Sequence, residues 1–296
     1  MEIRPGSAAA RPSVSRVHRL GRNRPLAGRY VLADRIGVGG MGAVWRARDL
    51  RTGNWVAAKV LGRHDAELLL RFVHEQAVRI AHPHVLAPTG WAAEDDVVVL
   101  TMDLVRGGSV ADVLADHGVL PEPLVRVLLD QMLRGLGAVH AAGIVHRDVK
   151  PANLLLEATG RGRPQLRVAD FGIAASAEEH RWTGAAGPLG TEGYLAPEHF
   201  RGAPPDPRQD VYAAGVVAVE LLTGRRPPPR HGAPNGPLRP LLEAMTEPDP
   251  ARRTPSVGAA LHHLRRLGVP QLVDVDLPDR LGDPPGRWRR RWPLVG

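Results

Sequence analysis

The feature that most restricts the fold of this chain is a change of apolar rhythm at Gly107-Gly108. Before it, Tyr30–Ile36, Ala43–Ala47, Trp55–Leu61 and Val97–Asp103 are short β-prone runs, the first three separated by the turn-forming stretches Gly37–Gly42 and Arg51–Asn54. That pattern predicts an antiparallel meander. One set at helical spacing, Leu69, Phe72, Val73, Ala77 and Ile80, interrupts it and is stopped by His82-Pro83. After Gly107-Gly108 the long periodic segments Leu124–Ala141 and Val211–Leu222 predict helices. The expectation is an α+β, bilobal chain: a small antiparallel-sheet N-lobe with one helix, about 28–105, and a larger helical C-lobe, about 106–267. Residues 1–27 carry six Arg and no sustained period, which predicts a disordered or loosely docked extension. The proline-rich stretch 225–240 and the segment 268–296 read as loops or tails.

Composition narrows the function classes. With 43% hydrophobic and 24% charged residues in 296, the chain can bury a core. Its net charge of +8 resides almost entirely on Arg and is shared with both ends, so nucleic acid is not an expected partner. The absence of cysteine excludes disulfides, thiolate metal sites and a thiol nucleophile. The apolar runs Val97–Leu100 and Val216–Leu222 fall short of the ~18 residues that a membrane span needs, and the N-terminus lacks an apolar signal core. A cytoplasmic protein is expected.

The motifs carry the chemistry. Gly37-Val-Gly39-Gly40-Met-Gly42-Ala-Val44 lies between two predicted strands. Alone it fits a bare hairpin as well as a flap whose backbone approaches phosphate. A dinucleotide fold would need a helix to follow. Lys59, in Val56-Ala57-Ala58-Lys59, comes 22 residues after Gly37, and Lys59 and Lys150 are the only lysines among 39 Lys and Arg. A compact ammonium is retained where a planar guanidinium does not serve. Glu75, on the helix that follows, is placed to pair with Lys59; Glu67 is a rival. The run His146-Arg147-Asp148-Val149-Lys150-Pro151-Ala152-Asn153 is the most specific. It supplies a carboxylate able to orient a hydroxyl, a cation two residues on, and an amide oxygen suited to Mg²⁺. Asp170-Phe171-Gly172 follows a predicted strand 22 residues after Asp148 and offers a second hard oxygen donor.

The ordered set, completed by Gly190-Thr191-Glu192-Gly193-Tyr194-Leu195-Ala196-Pro197-Glu198, resembles the protein-kinase superfamily over about Tyr30 to Leu267. Lys150 together with Gly190-Thr191 resembles the bacterial eukaryotic-type (Hanks-type) Ser/Thr branch. The resemblance implies transfer of the γ-phosphoryl of ATP to protein hydroxyls with Mg²⁺, or Mn²⁺, as cofactor. It implies Lys59 on the α- and β-phosphates paired with Glu75, Asp148 as catalytic base, Lys150 on the transferring phosphoryl, and Asn153 and Asp170 on the metal. Ile36, the glycines of the flap, Val44, Ala57 and Leu155 would line the nucleotide, with Met102 as gatekeeper and Asp103–Val105 as hinge. Asp210 matches a carboxylate that holds the catalytic-loop backbone, and Arg253 the partner of Glu198. Thr183, with Ser176 second, is the expected site of autophosphorylation, which Arg147 would read, and self-association for this step in trans is a further expectation.

Three features depart from the family pattern. The spacing from Lys59 to Glu75 is short, and Arg79 stands where an apolar side chain is usual. The proline-rich 225–240 replaces a helix that commonly docks partners. The chain ends without the membrane span and sensor domain of many bacterial relatives, so a partner or small ligand is expected to bring the signal. The tail Arg287-Trp288-Arg-Arg-Arg291-Trp292 is expected to be solvated or partner-docking, with an interfacial membrane anchor as its alternative. A pseudokinase scaffold is the alternative function. An aminoglycoside-kinase-like enzyme is disfavoured by the Ala-Pro-Glu segment, and a Walker-type NTPase by the lack of Gly-Lys-Ser/Thr.

Overall fold

The structure, a computed structural model, describes residues 25–39, 42–62, 80–94, 97–171, 192–226, 232–268, 270 and 275–285. These fall into two compact units, one within 1–70, 88–104 and 283–296, the other within 71–87 and 105–282.

The first unit is a five-stranded antiparallel sheet of β1 (Tyr30–Gly39), β2 (Gly42–Asp49), β3 (Trp55–Gly62), β4 (Pro88–Glu94) and β5 (Val97–Asp103), in the order β1-β2-β3-β5-β4. Cross-strand partners share a face, and successive residues alternate between faces. The register Trp45↔Ala58↔Thr101 and Ala43↔Val60↔Val99 therefore defines one side. There Tyr30, Leu32, Trp45, Ala47, Ala58, Val60 and Val99 form the buried core. The register Val44↔Lys59↔Leu100 and Ala57↔Met102 defines the other. Gly42 has φ +155, and a Cβ there would lie 2.2 Å from the Val60 carbonyl, so only glycine lets β2 begin this close to β3. Arg29 grips Asp49 with two hydrogen bonds, and Arg46 grips Asp34 in the same way.

Strand β4, which the sequence did not suggest, is Pro-Thr-Gly-Trp-Ala-Ala-Glu, without a β-branched run. It is a strand because β5 offers it a backbone edge, a tertiary effect that overrides weak intrinsic preference.

The second unit contains helices α1 (Val110–His117), α2 (Glu122–Ala141), α3 (Pro207–Thr223), α4 (Arg239–Met245) and α5 (Val257–Arg266), with the short hairpin β6 (Leu154–Leu156) and β7 (Leu166–Val168). Their starts are written locally. Ser109 and Asp112 form a reciprocal capping box on α1, Asp206 caps α3 ahead of Pro207, and Ser256 caps α5. Helix α3 is buried nearly all round, and Leu129, Leu133 and Leu136 of α2 join Val216, Val217 and Leu242 in the core. Gly135 lets α2 approach the loop that precedes β4: a Cβ there would be 2.4 Å from the His84 carbonyl.

Most of the inserted helix expected over Leu69–Ile80 lies outside the described residues. Ile80 itself is buried with Val85, Val139, Ile144 and Phe171. Of the proline-rich stretch, residues 232–238 form turns that bury Ala233 and Leu238 before α4 begins at Arg239. No helix among the described residues is long and apolar enough to cross a membrane.

Candidate active site

The run His146–Asn153 leaves α2 through the turn at Ala142-Gly143 and is fixed from below by one carboxylate. Asp210, on the first turn of α3, is 0% exposed. It accepts the backbone N–H of His146 at 2.8 Å, that of Arg147 at 2.9 Å, and the His140 Nε2–H at 2.8 Å. Three donors on one buried carboxylate satisfy its charge and hold Arg147 at φ 64, a left-handed conformation uncommon outside glycine.

His146 fastens the loop to the next segment. Its Nδ1 accepts the Asp148 N–H at 3.3 Å while Nε2 faces the Ala169 carbonyl at 3.0 Å, so the ring hydrogen sits on Nε2. The ring also meets Phe171 edge-on, with centroids 6.3 Å apart.

These supports present Asp148 to a polar cluster. The Lys150 ammonium donates to both carboxylate oxygens, at 2.9 and 2.7 Å, and the Asn153 amide donates to the Asp148 side chain and carbonyl, each at 2.8 Å. Both Asn153 side-chain bonds use its nitrogen, leaving its carbonyl oxygen as a donor to a cation. Asn153 also accepts the Ala169 N–H at 2.9 Å, which ties it to the residue preceding Asp170. Asp170 stands just beyond β7 with φ 61, the second non-glycine in this region held left-handed. Such strain concentrates where a side chain must be aimed. The second unit thus brings Asp148, Lys150 and Asn153 into contact and sets Asp170 at the adjoining hairpin end.

The donor set suits Mg²⁺. Among the described residues no cluster of three or more His, Cys, Asp or Glu forms a self-sufficient metal cage. Mg²⁺ does not require one, because it takes one or two protein oxygens and fills its shell with phosphate and water. One amide oxygen and one carboxylate fit that habit.

In the first unit Val44, Ala57, Lys59 and Met102 share the sheet face opposite the Trp45 core. Lys59 is only 6% exposed, Ala57 5% and Met102 8%. Ile36 and Gly37 are half-buried near the end of β1, and the hairpin register pairs Gly39 with Gly42. Asp103 alternates to the other face and is exposed, so only its backbone suits a hinge role. Val105, 8% exposed, belongs to the second unit, as does the half-buried Leu155 of β6. Gly40, Glu75, Arg79, Gly172, Ser176, Thr183, Gly190, Thr191 and the Arg/Trp tail lie outside the described residues.

Beyond the loop, Arg253 is wholly enclosed and spends all five guanidinium donors. Two go to Glu198, at 2.6 and 2.8 Å, and the others to the carbonyls of Glu247, Arg208 and Pro248. Burial pushes the Glu198 carboxyl up, but the Arg253 hydrogen bonds, a backbone N–H and the Arg253 charge together outweigh it and hold the group below its ordinary value. Glu220, 3% exposed, accepts the Tyr194 hydroxyl at 2.6 Å, and burial raises both groups. Burial, then the neighbouring Arg147 charge, lowers the His199 imidazole.

Sequence reading overlooked His140 as a ligand of Asp210 and His199 beside Arg147. Neither belongs to a local pattern, since each meets its partner only after the helices pack.

The model of the protein kinase domain family matches residues 30–263. The serine/threonine-protein kinase PkaA of Streptomyces coelicolor is 38% identical over 220 residues, covering 69% of this chain and 40% of the relative. The serine/threonine-protein kinase PknA of Mycobacterium tuberculosis is 38% identical over 235 residues, 76% of this chain and 53% of the relative. PknL of the same species, also named a serine/threonine-protein kinase, is 37% identical over 204 residues, 67% and 50% respectively. The chain therefore spans about half the length of these curated relatives, or less.

Proposed function

The chain belongs to the protein kinase family, and from that premise we propose that it transfers the γ-phosphoryl of ATP to serine or threonine hydroxyls of proteins. The observation that carries this is the bonded set of Asp148, Lys150 and Asn153, held by Asp210 on a backbone bent left-handed at Arg147. It joins a family match to relatives named as serine/threonine kinases.

In this reading the Asp148 carboxylate accepts the substrate hydroxyl proton and turns the oxygen toward the phosphorus. Lys150, already 2.7 Å from that carboxylate, neutralises charge on the moving phosphoryl group. Lys59 binds the α- and β-phosphates from a sheet face of which Val44, Ala57 and Met102 form the apolar bed for adenine. Asn153 and Asp170 hold Mg²⁺, or Mn²⁺, which supplies charge stabilisation across the phosphates when bound. Most of the acceleration then comes from positioning and electrostatics.

Autophosphorylation at Thr183 through self-association, and a cytoplasmic setting, belong to the same proposal. Family membership implies ATP and divalent metal use generally, and protein substrates. The alternative of a nucleotide-binding scaffold without turnover draws no support from relatives named as kinases.

The test is incubation with Mg·[γ-³²P]ATP and a generic protein substrate, followed by phosphoamino-acid separation. Label on serine and threonine is expected; release only as inorganic phosphate contradicts the proposal. Lys59→Met removes the buried ammonium and should lower transfer by at least about 10²-fold, the usual cost of losing one preorganised donor. Circular dichroism of that variant should match the wild type.

A further inference from the structure

Residues 275–282 follow the end of the family match at residue 263, and the sequence reads them as tail. They are docked. Leu277 is 2% exposed and joins the helical core, and its backbone exchanges two hydrogen bonds with Gly160, at 2.9 and 3.0 Å. From that anchor the chain runs to Arg106, the residue after the expected hinge Asp103–Val105. The Arg280 N–H donates to the Arg106 carbonyl at 2.9 Å. The Arg106 guanidinium returns two bonds to Asp279, at 2.9 and 2.6 Å, and one to the Gly282 carbonyl at 2.9 Å. Arg280 also pairs with Asp116 of α1, and its stem covers Gly108 so closely that a Cβ there would lie 2.5 Å from Arg280 Cδ.

On its other side the same stretch is tied to β6. Gly107 N–H donates to the Leu156 carbonyl at 2.9 Å, and Leu156 N–H to the Gly108 carbonyl at 2.8 Å. Residues 106–108 are thus clamped between β6 and the 277–282 segment. The buried Val105 adjoins the clamp directly and the half-buried Leu155 of β6 is one residue from it; the family resemblance implies the first as part of the hinge and the second as a residue lining the nucleotide.

We propose that Leu277–Gly282 is a strap that sets the backbone bordering the nucleotide site, with Arg106 and Asp279 as its positioning pair. The pair touches no reacting atom, so its effect falls on nucleotide affinity and not on the phosphoryl-transfer step. This rests on the kinase reading. An ion pair between half-exposed groups contributes modestly, so Arg106→Ala or Asp279→Ala should raise the ATP KM, and the Kd of a non-hydrolysable analogue, by about fivefold. The kcat should stay within about twofold of wild type, because interactions made equally in ground and transition states leave kcat alone. The double variant should fall short of the product of the two single effects, since both single variants lose the shared Arg106–Asp279 pair.

The measurements are steady-state kinetics, calorimetry with the analogue, and melting temperature for wild type and all three variants. Asp279→Asn gives the same readout in a side chain of unchanged shape. Raised KM and Kd at constant kcat support the strap. A lowered melting temperature with unchanged nucleotide affinity would show the contact to be merely structural and overturn it. Failure of the wild type itself to bind nucleotide would remove the kinase reading together with the strap, whereas equal affinities in wild type and variants remove the strap alone.

Discussion

Asp148→Asn is expected to reduce phosphoryl transfer by about 10³-fold while leaving nucleotide affinity near that of the wild type. Asparagine fills the same space and still offers an oxygen to the Lys150 ammonium and the Asn153 amide, which now meet at the carboxylate within 2.9 Å. It cannot take up the hydroxyl proton, and it removes the negative charge facing Lys150. The supports of the loop, Asp210 beneath and His146 beside, do not involve the altered group. Single-turnover transfer of radiolabel, with parallel nucleotide titration, separates the two effects. A variant that labels substrate at the wild-type rate would remove Asp148 from the chemistry.

The second large effect is on stability. Glu198→Ala leaves the fully enclosed Arg253 guanidinium without its counter-charge, while three carbonyls still hold it in place. Breaking a buried pair from one side costs about 3–5 kcal/mol, which for a domain of this size lowers the melting temperature by roughly 10 °C. Glu198→Gln tests the charge separately, through pH. The folded-state value of this carboxyl is lowered from 4.5, so the unfolded chain takes up its proton first as pH falls. Its contribution is full above 4.5 and is lost as pH drops through the lower folded-state value. The glutamine variant should therefore be less stable at neutral pH and lose less stability between about pH 5 and pH 3. Denaturant melts at several pH values check this; parallel curves for both proteins would contradict it.

How far the sequence carried depended on the range of the interaction. The Asp148 cluster was legible because all its members fall within His146–Asn153, so chemistry and spacing are written together. On the sheet face bearing Val44, Ala57 and Lys59, the sequence itself marked only Lys59, one of two lysines in the chain, whereas Val44 and Ala57 came through family resemblance; the strand register is what puts the three on one side. Strand β4 was not legible, because its residues have weak strand preference and are recruited by the edge of β5. The role of Asp210 came only through family resemblance: no spacing rule links it to amides 63 and 64 residues away. The strap was invisible for a related reason. Prolines and glycines in 268–296 do read as irregular chain, yet irregular chain still docks when it carries one apolar anchor such as Leu277 and an Asp279 opposite Arg106.

The proposed kinase function requires that this chain bind a nucleotide triphosphate through a metal, for which Asn153 and Asp170 are the proposed ligands. Isothermal calorimetry with a non-hydrolysable ATP analogue, run with Mg²⁺ and again in the presence of a chelator, tests it directly. Saturable one-site binding that weakens at least tenfold without Mg²⁺ is expected. No heat under either condition, or the same affinity in both, would contradict it.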